Sequence, residues 1–68
     1  MPKHYEIRLV GHLDEEAAAA LAYLAPIDNG NVTVIEAELD QAGLHGLLER
    51  IRTLSIEILD IRQVRSRQ

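Results

Sequence analysis

Apolar and polar residues alternate through HYEIRLVGHL. Tyr5, Ile7 and Leu9 share one side, and His4, Glu6, Arg8 and Val10 share the other. A period of two predicts a strand with one face buried. The period then changes. In LDEEAAAALAYLA, residues Ala17, Ala20, Leu21 and Leu24 recur at helical spacing, which predicts an amphipathic helix. Asp14 stands where an N-cap belongs, and Glu15 and Glu16 put negative charge at the positive end of the helix dipole. Pro26 disfavours helical geometry in the residue before it, so the helix is expected to end near Leu24.

A β-branched run, Val32 to Leu39, predicts the longer arm of a hairpin. Asn29-Gly30 before it is the preferred pair for a two-residue type I′ turn. The arm ahead of the turn is short and holds Pro26, as suits an edge strand. Helical spacing returns in DQAGLHGLLERIRTL, where Leu44, Leu47, Leu48, Ile51 and Leu54 form the apolar stripe. Asp40 is its expected N-cap, and Leu39 with Leu44 fits a hydrophobic staple across the cap. Gly43 and Gly46 are unusual so far inside a helix, where each costs about 1 kcal/mol against alanine. SIEILDIRQV reads as a last strand, followed by a basic tail, RSRQ.

The order is strand, helix, strand, strand, helix, strand. Two right-handed strand–helix–strand units joined by a hairpin predict an α+β fold of the ferredoxin-like split βαββαβ type. Its sheet has four antiparallel strands in the order 4-1-3-2, with both helices on one face. Residues 1–68 make a single domain, with order expected over about 4–64 and a frayed tail at 65–68. The fold hosts many functions and selects none.

Helices on one face leave the other open. Glu6, Arg8, Val10 and His12 are expected there from the first strand, and Glu57, Leu59 and Ile61 from the last. Ile58 and Leu59 are both apolar, and a bulge near Asp60 would switch that parity. In the third strand Val32/Val34 and Thr33/Ile35 are both acceptable inner sets. Every assignment leaves large aliphatics outside among charges, the character of a subunit interface. Glu6, Arg8, Val10, Leu59 and Ile61 are therefore interface candidates. No charge occurs from Ala17 to Ile27, and the outward Ala18 and Ala22 offer a second surface for close helix approach.

Composition narrows the partners. A 68-residue chain without cysteine has neither disulfides nor thiolate zinc sites to support a small core, which leaves association as the common remedy. The net charge of −4 disfavours nucleic acid and anionic membranes as partners. No apolar run is long enough to span a bilayer, and MPKHYEI lacks the organisation of a signal peptide, so a cytoplasmic location is expected.

Chemistry is sparse. His12 belongs at one end of the domain, while His4 and His45 belong at the other, and no metal-ligand spacing occurs. Glu15/Glu16 and Glu36/Glu38 have ordinary structural explanations. The glycines match no phosphate-binding loop. No cofactor and no enzymatic activity are expected. RNA-binding relatives of this topology stack bases on aromatics of the central strands, where only Tyr5 stands here. Amino-acid-sensing ACT domains place a ligand at a subunit boundary near the loop after the first strand. That analogy makes Gly11, His12 and His45 ligand candidates.

YEIRLVGHLD and DQAGLHGLLERIRTL, with the strand that follows, resemble a family of short stand-alone bacterial proteins without assigned function, which carry GHLD and DQxxLHG blocks at similar separation. The resemblance spans nearly the whole chain. It departs in the first helix, which is alanine-rich where aromatics are expected. It implies the fold and no activity. The functional expectation is a non-enzymatic interaction module, a homodimer or a subunit of a larger bacterial protein. The alternative is an ACT-like small-ligand sensor.

Overall fold

Strand β1 (Lys3–Val10) leads into helix α1 (Glu15–Ala20), a single 3-10 turn (Ala22–Leu24) and the short strand β2 (Ile27–Asp28). Strand β3 (Val32–Leu39), helix α2 (Gln41–Thr53) and strand β4 (Ile58–Val64) follow. The computed structural model describes residues 2–64, so the expected basic tail at 65–68 lies outside the described residues. The sheet is antiparallel and runs β2-β3-β1-β4 from edge to edge. Numbered from the β4 edge, that is the sequence 4-1-3-2.

Both helices begin on the aspartates that the pattern marks. Asp14 Oδ1 accepts the Ala17 N–H at 2.8 Å, and Asp40 Oδ1 accepts the Gly43 N–H at 2.7 Å. Each bond satisfies one of the donors that a helix start leaves unpaired. The first helix is shorter than its pattern. It tightens after Ala20 into the 3-10 turn and closes at Ala25, which takes left-handed backbone (φ 49°). Pro26 forces this stop: the residue before a proline is driven out of helical geometry.

Helix α2 closes differently. Ser55 takes left-handed backbone (φ 61°), its N–H reaches the Arg52 carbonyl, and the Ile56 N–H reaches that of Ile51. This pair of bonds is a Schellman motif with serine where glycine is usual. Strand β4 accordingly starts at Ile58, later than the pattern suggests.

Ile7, Leu9, Leu21, Ile35, Leu47 and Ile51 form the buried cluster. Leu21, the residue that caps the end of α1, and Leu47 and Ile51 of α2 join it, and Ala17 of α1 is buried as well, so both helices cover the same face of the sheet. Leu39, Leu44, Leu48, Leu54, Ile56 and Ile58 pack around it, partly buried. Each fully buried aliphatic is worth about 1.5–3 kcal/mol relative to exposure.

One open choice is settled and two local expectations are corrected. In β3 the inner set is Thr33, Ile35 and Ala37, and Val32 and Val34 lie on the open side. Thr33 tolerates burial because its hydroxyl donates to the Gly11 carbonyl at 2.8 Å. The hairpin turn is also shifted by one residue. Asn29 donates its N–H to the Val32 carbonyl, so Gly30 and Asn31 are the central pair. Of these two only Gly30 has positive φ (90°), the pattern of a type II′ turn. Asp28 sets this position: its Oδ1 accepts the Gly30 N–H at 2.7 Å, an Asx turn.

The second correction is in β4. A bulge interrupts its pairing with β1, because Arg8 faces Asp60 and Leu9 faces Ile58, leaving Leu59 between them. Past the bulge Ile61 pairs with Ile7. Cross-strand partners share a face, so Ile61 lies on the helix side of the sheet, not on the open side.

Candidate functional site

The open face of the sheet is built by alternation. It carries His4, Glu6, Arg8 and Val10 from β1, and Val32, Val34, Glu36 and Glu38 from β3. Ile27 joins from β2 opposite Val34, and Asp60, Arg62 and Val64 join from β4. The face divides in two. Toward the hairpin it is aliphatic: Val10, Ile27, Val32 and Val34. Toward the opposite end it is charged.

Those charges are paired across strands. Arg8 grips Asp60 bidentately, Nε to Oδ1 at 2.9 Å and Nη2 to Oδ2 at 2.5 Å. The Asp60 hydrogen bond and charge raise the Arg8 pKa above its usual value, and Arg8 holds the Asp60 carboxyl below the usual carboxylate range. Arg62 Nη2 donates to Glu6 Oε1 at 2.8 Å, and His4 Nε2 lies 3.3 Å from Glu36 Oε1. Glu6 and Glu36 stand directly opposite each other, an unfavourable like-charge pair. Arg62 offsets the charge of Glu6, and His4 stands beside Glu36.

The interface candidates fall on different surfaces. Glu6, Arg8 and Val10 share the open face as expected. Leu59 sits half-exposed in the bulge, and Ile61 is at the helix-side rim of the β4 edge. Ala18 and Ala22 are exposed on the helix layer, across the sheet from Arg8. Asp60, Arg62 and Ile27 belong to the open face without standing among the candidates, and Val34, which the pattern allows on either side, joins them. A signal for the first two existed: a one-residue bulge brings Asp60 and Arg62 opposite Arg8 and Glu6, residues of opposite charge.

His12 lines a cleft of about 300 Å³, and Gly11, its neighbour in the chain, is not part of the lining. Val10, His12, Leu13, Asp14 and Ala17 form one wall, and Leu54, Ser55, Ile56 and Glu57 form the other. Gly11 takes positive φ (75°), so the chain turns sharply at the mouth. His45 does not line this cleft. It is exposed on α2, which starts where β3 ends, at the end of the sheet where His4 lies. The three histidines therefore do not converge, and among the described residues no group of three or more His, Asp or Glu side chains is placed to hold a metal ion.

The two glycines of α2 differ. A Cβ on Gly43 would lie 3.1 Å from Asp40 Oδ1 and 3.3 Å from Leu39 Cδ2, so its absence admits the cap and Leu39 together. Gly46 faces open space. Both border a cleft of about 260 Å³, with Tyr23, Leu24, Leu39, Leu47 and Arg50.

These features define a small α+β domain with a helix-covered face, a salt-bridged open face and unpartnered sheet edges. A family model described as Domain of unknown function (DUF8691) matches residues 4–62, and the chain belongs to this family. No curated protein and no solved structure matches it. No helix among the described residues is long and apolar enough to cross a membrane.

Proposed function

We propose that this domain, read as a ferredoxin-like fold, is a non-enzymatic, cytoplasmic interaction module that associates through its sheet, with a second copy or a larger bacterial protein as partner. One observation carries the reading: the exposed large aliphatics, Val10, Ile27, Leu59, Ile61 and Val64, all lie on strands. The helices keep theirs against the core. A small domain with few buried side chains gains most from covering such residues on association.

Sedimentation at micromolar concentrations tests this. Self-association is expected, weakened by Leu59→Glu or Ile61→Glu. A wild-type monomer at every concentration contradicts the homodimer form, and association untouched by both variants contradicts the sheet as the surface.

A second reading follows from the cleft at His12, which has the volume for a small ligand at the loop after β1, as in an ACT-like sensor. Thermal-shift screening against amino acids and nucleotides tests it, since a ligand that binds only the folded state raises the melting temperature. A flat response across the screen removes it.

A further inference from the structure

We infer that β4 pairs with β4 of a second copy, antiparallel, with the two-fold axis beside Ile61. The inference rests on the self-association reading above and adds the surface and its register. Strand β4 is a sheet edge of seven residues, and among the described residues no strand lies on its outer side. The unpaired N–H and C=O groups of an exposed edge of this length are a template for pairing.

The backbone groups available follow from the ladder. The Val10 N–H reaches Glu57 in the β4 direction, and the Gly11 N–H reaches Asn31 in the β3 direction. By strand alternation Arg8, Glu6 and His4 exchange bonds with Asp60, Arg62 and Val64. The N–H and C=O of Ile61 and Gln63 then point to the free edge. With the axis beside Ile61, that residue and its twin exchange a reciprocal pair of N–H···O bonds.

Charge selects this register. A two-fold normal to the sheet puts one residue opposite its own copy and keeps equivalent faces together. An axis at Asp60 opposes two carboxylates, and one at Arg62 opposes two guanidinium groups. At Gln63 it sets Arg62 against Val64, and at Leu59 it sets bulge against bulge. At Ile61 it sets Asp60 opposite Arg62 of the second copy, twice. Glu6, Arg62, Asp60 of the second copy and Arg8 of the second copy then form one row of alternating charge, continuing the two ion pairs already present in each chain. On the helix side, Ile35, Ile7 and Ile61 are already cross-strand partners, and the same axis continues that row into its own copy. Ile61, 37% exposed at the rim of the core, is covered by its twin.

The chain has no cysteine, so Ile61→Cys provides a single reactive thiol. In the proposed register the two Cα atoms lie about 5.5 Å apart, within disulfide range. Mild oxidation is expected to link the dimer rapidly. Gln63→Pro removes an N–H that faces away from β1, so the folded monomer keeps its own ladder. It should raise the dimer dissociation constant by roughly tenfold or more, with circular dichroism unchanged. A dimer that resists Gln63→Pro, and that stays unlinked when Ile61→Cys is oxidised, overturns this register while the interaction module stands. A wild-type monomer at every concentration overturns the pairing, together with the homodimer form of the proposed function.

Discussion

Arg8 and Asp60 face each other across β1 and β4 on the first paired position beyond the bulge, joined by two hydrogen bonds. The pair therefore marks where β4 regains its register after Leu59. Leu9 faces Ile58 on one side of the bulge, and Ile7 faces Ile61 on the other. Both aliphatic contacts lie on the helix side, while the ion pair between them lies on the open side. A planar guanidinium fork meeting a carboxylate has little freedom to slide, so the pair opposes a one-residue slip that would turn Ile61 outward.

Asp60→Asn tests that role. Asp60 titrates below its ordinary value of 3.8 because Arg8 donates to its ionised form. A carboxyl with a depressed folded-state pKa stabilises fully above its unfolded value, and the contribution disappears as pH falls through the folded one. Asp60→Asn is therefore expected to melt below wild type at neutral pH. The gap should close as pH drops below the ordinary carboxylate range. Thermal melts from neutral to strongly acid pH check the sign, and a gap that widened in acid would contradict it. High salt should narrow the neutral-pH gap, since both side chains are part-exposed.

Thr33 is the buried polar side chain of β3, and its hydroxyl bond to the Gly11 carbonyl ties the hairpin to the end of β1. Thr33→Val keeps the shape and removes the bond. A loss of about 1 kcal/mol is expected in denaturant unfolding, the usual net worth of one such bond. Retained stability would show that burial, not the hydroxyl, places Thr33 inside.

Much of this architecture is legible in local pattern, and what is not legible mostly has one cause. Asp14 and Asp40 declare the helix starts because a cap and its helix are neighbours in sequence. Ile7 and Leu9 declare their face by alternation alone. Thr33 against Val34 is different: the deciding acceptor, the Gly11 carbonyl, comes from the loop after β1, distant in sequence. Ile61 is different for the same reason, since its face depends on a bulge that only pairing with β1 defines. The turn at Gly30-Asn31 is an intermediate case. Its determinant, Asp28, is local, but Asn29-Gly30 is a stronger familiar signal and masks it. For the contact surface, Glu6, Arg8 and Val10 follow from β1 alternation, while Arg62 and Asp60 become visible only once the bulge is allowed for.

The two glycines of α2 separate helix propensity from packing. Gly46 has open space around its Cα, so Gly46→Ala should stabilise the isolated domain by about 0.5–1 kcal/mol. Gly43→Ala meets Asp40 Oδ1 and Leu39 Cδ2 at tight range, so part of the same gain is offset by displacement of the cap or of Leu39. Denaturant melts should therefore rank Gly46→Ala above Gly43→Ala. If Gly46→Ala stabilises the monomer and also weakens association, the cleft beside Tyr23 is part of the contact surface.

The C-terminal end of α2 offers the converse test, a position where glycine is missing. Ser55 holds left-handed backbone (φ 61°) so that its own N–H reaches the Arg52 carbonyl and the next N–H reaches Ile51. An L side chain is strained there because its Cβ crowds the neighbouring carbonyl oxygen, and glycine is free of that contact. Glycine also gives the unfolded chain more conformations to lose, which takes back part of the benefit. Ser55→Gly should therefore stabilise by a net ~0.5 kcal/mol. The gain should appear as slower amide exchange at Ser55 and Ile56, whose N–H groups close the motif. Ser55 also lines the cleft beside His12, so the variant removes a hydroxyl from that wall. If the melting temperature rises while a thermal-shift response to a small ligand disappears, serine is kept at this position for the ligand and not for the helix end.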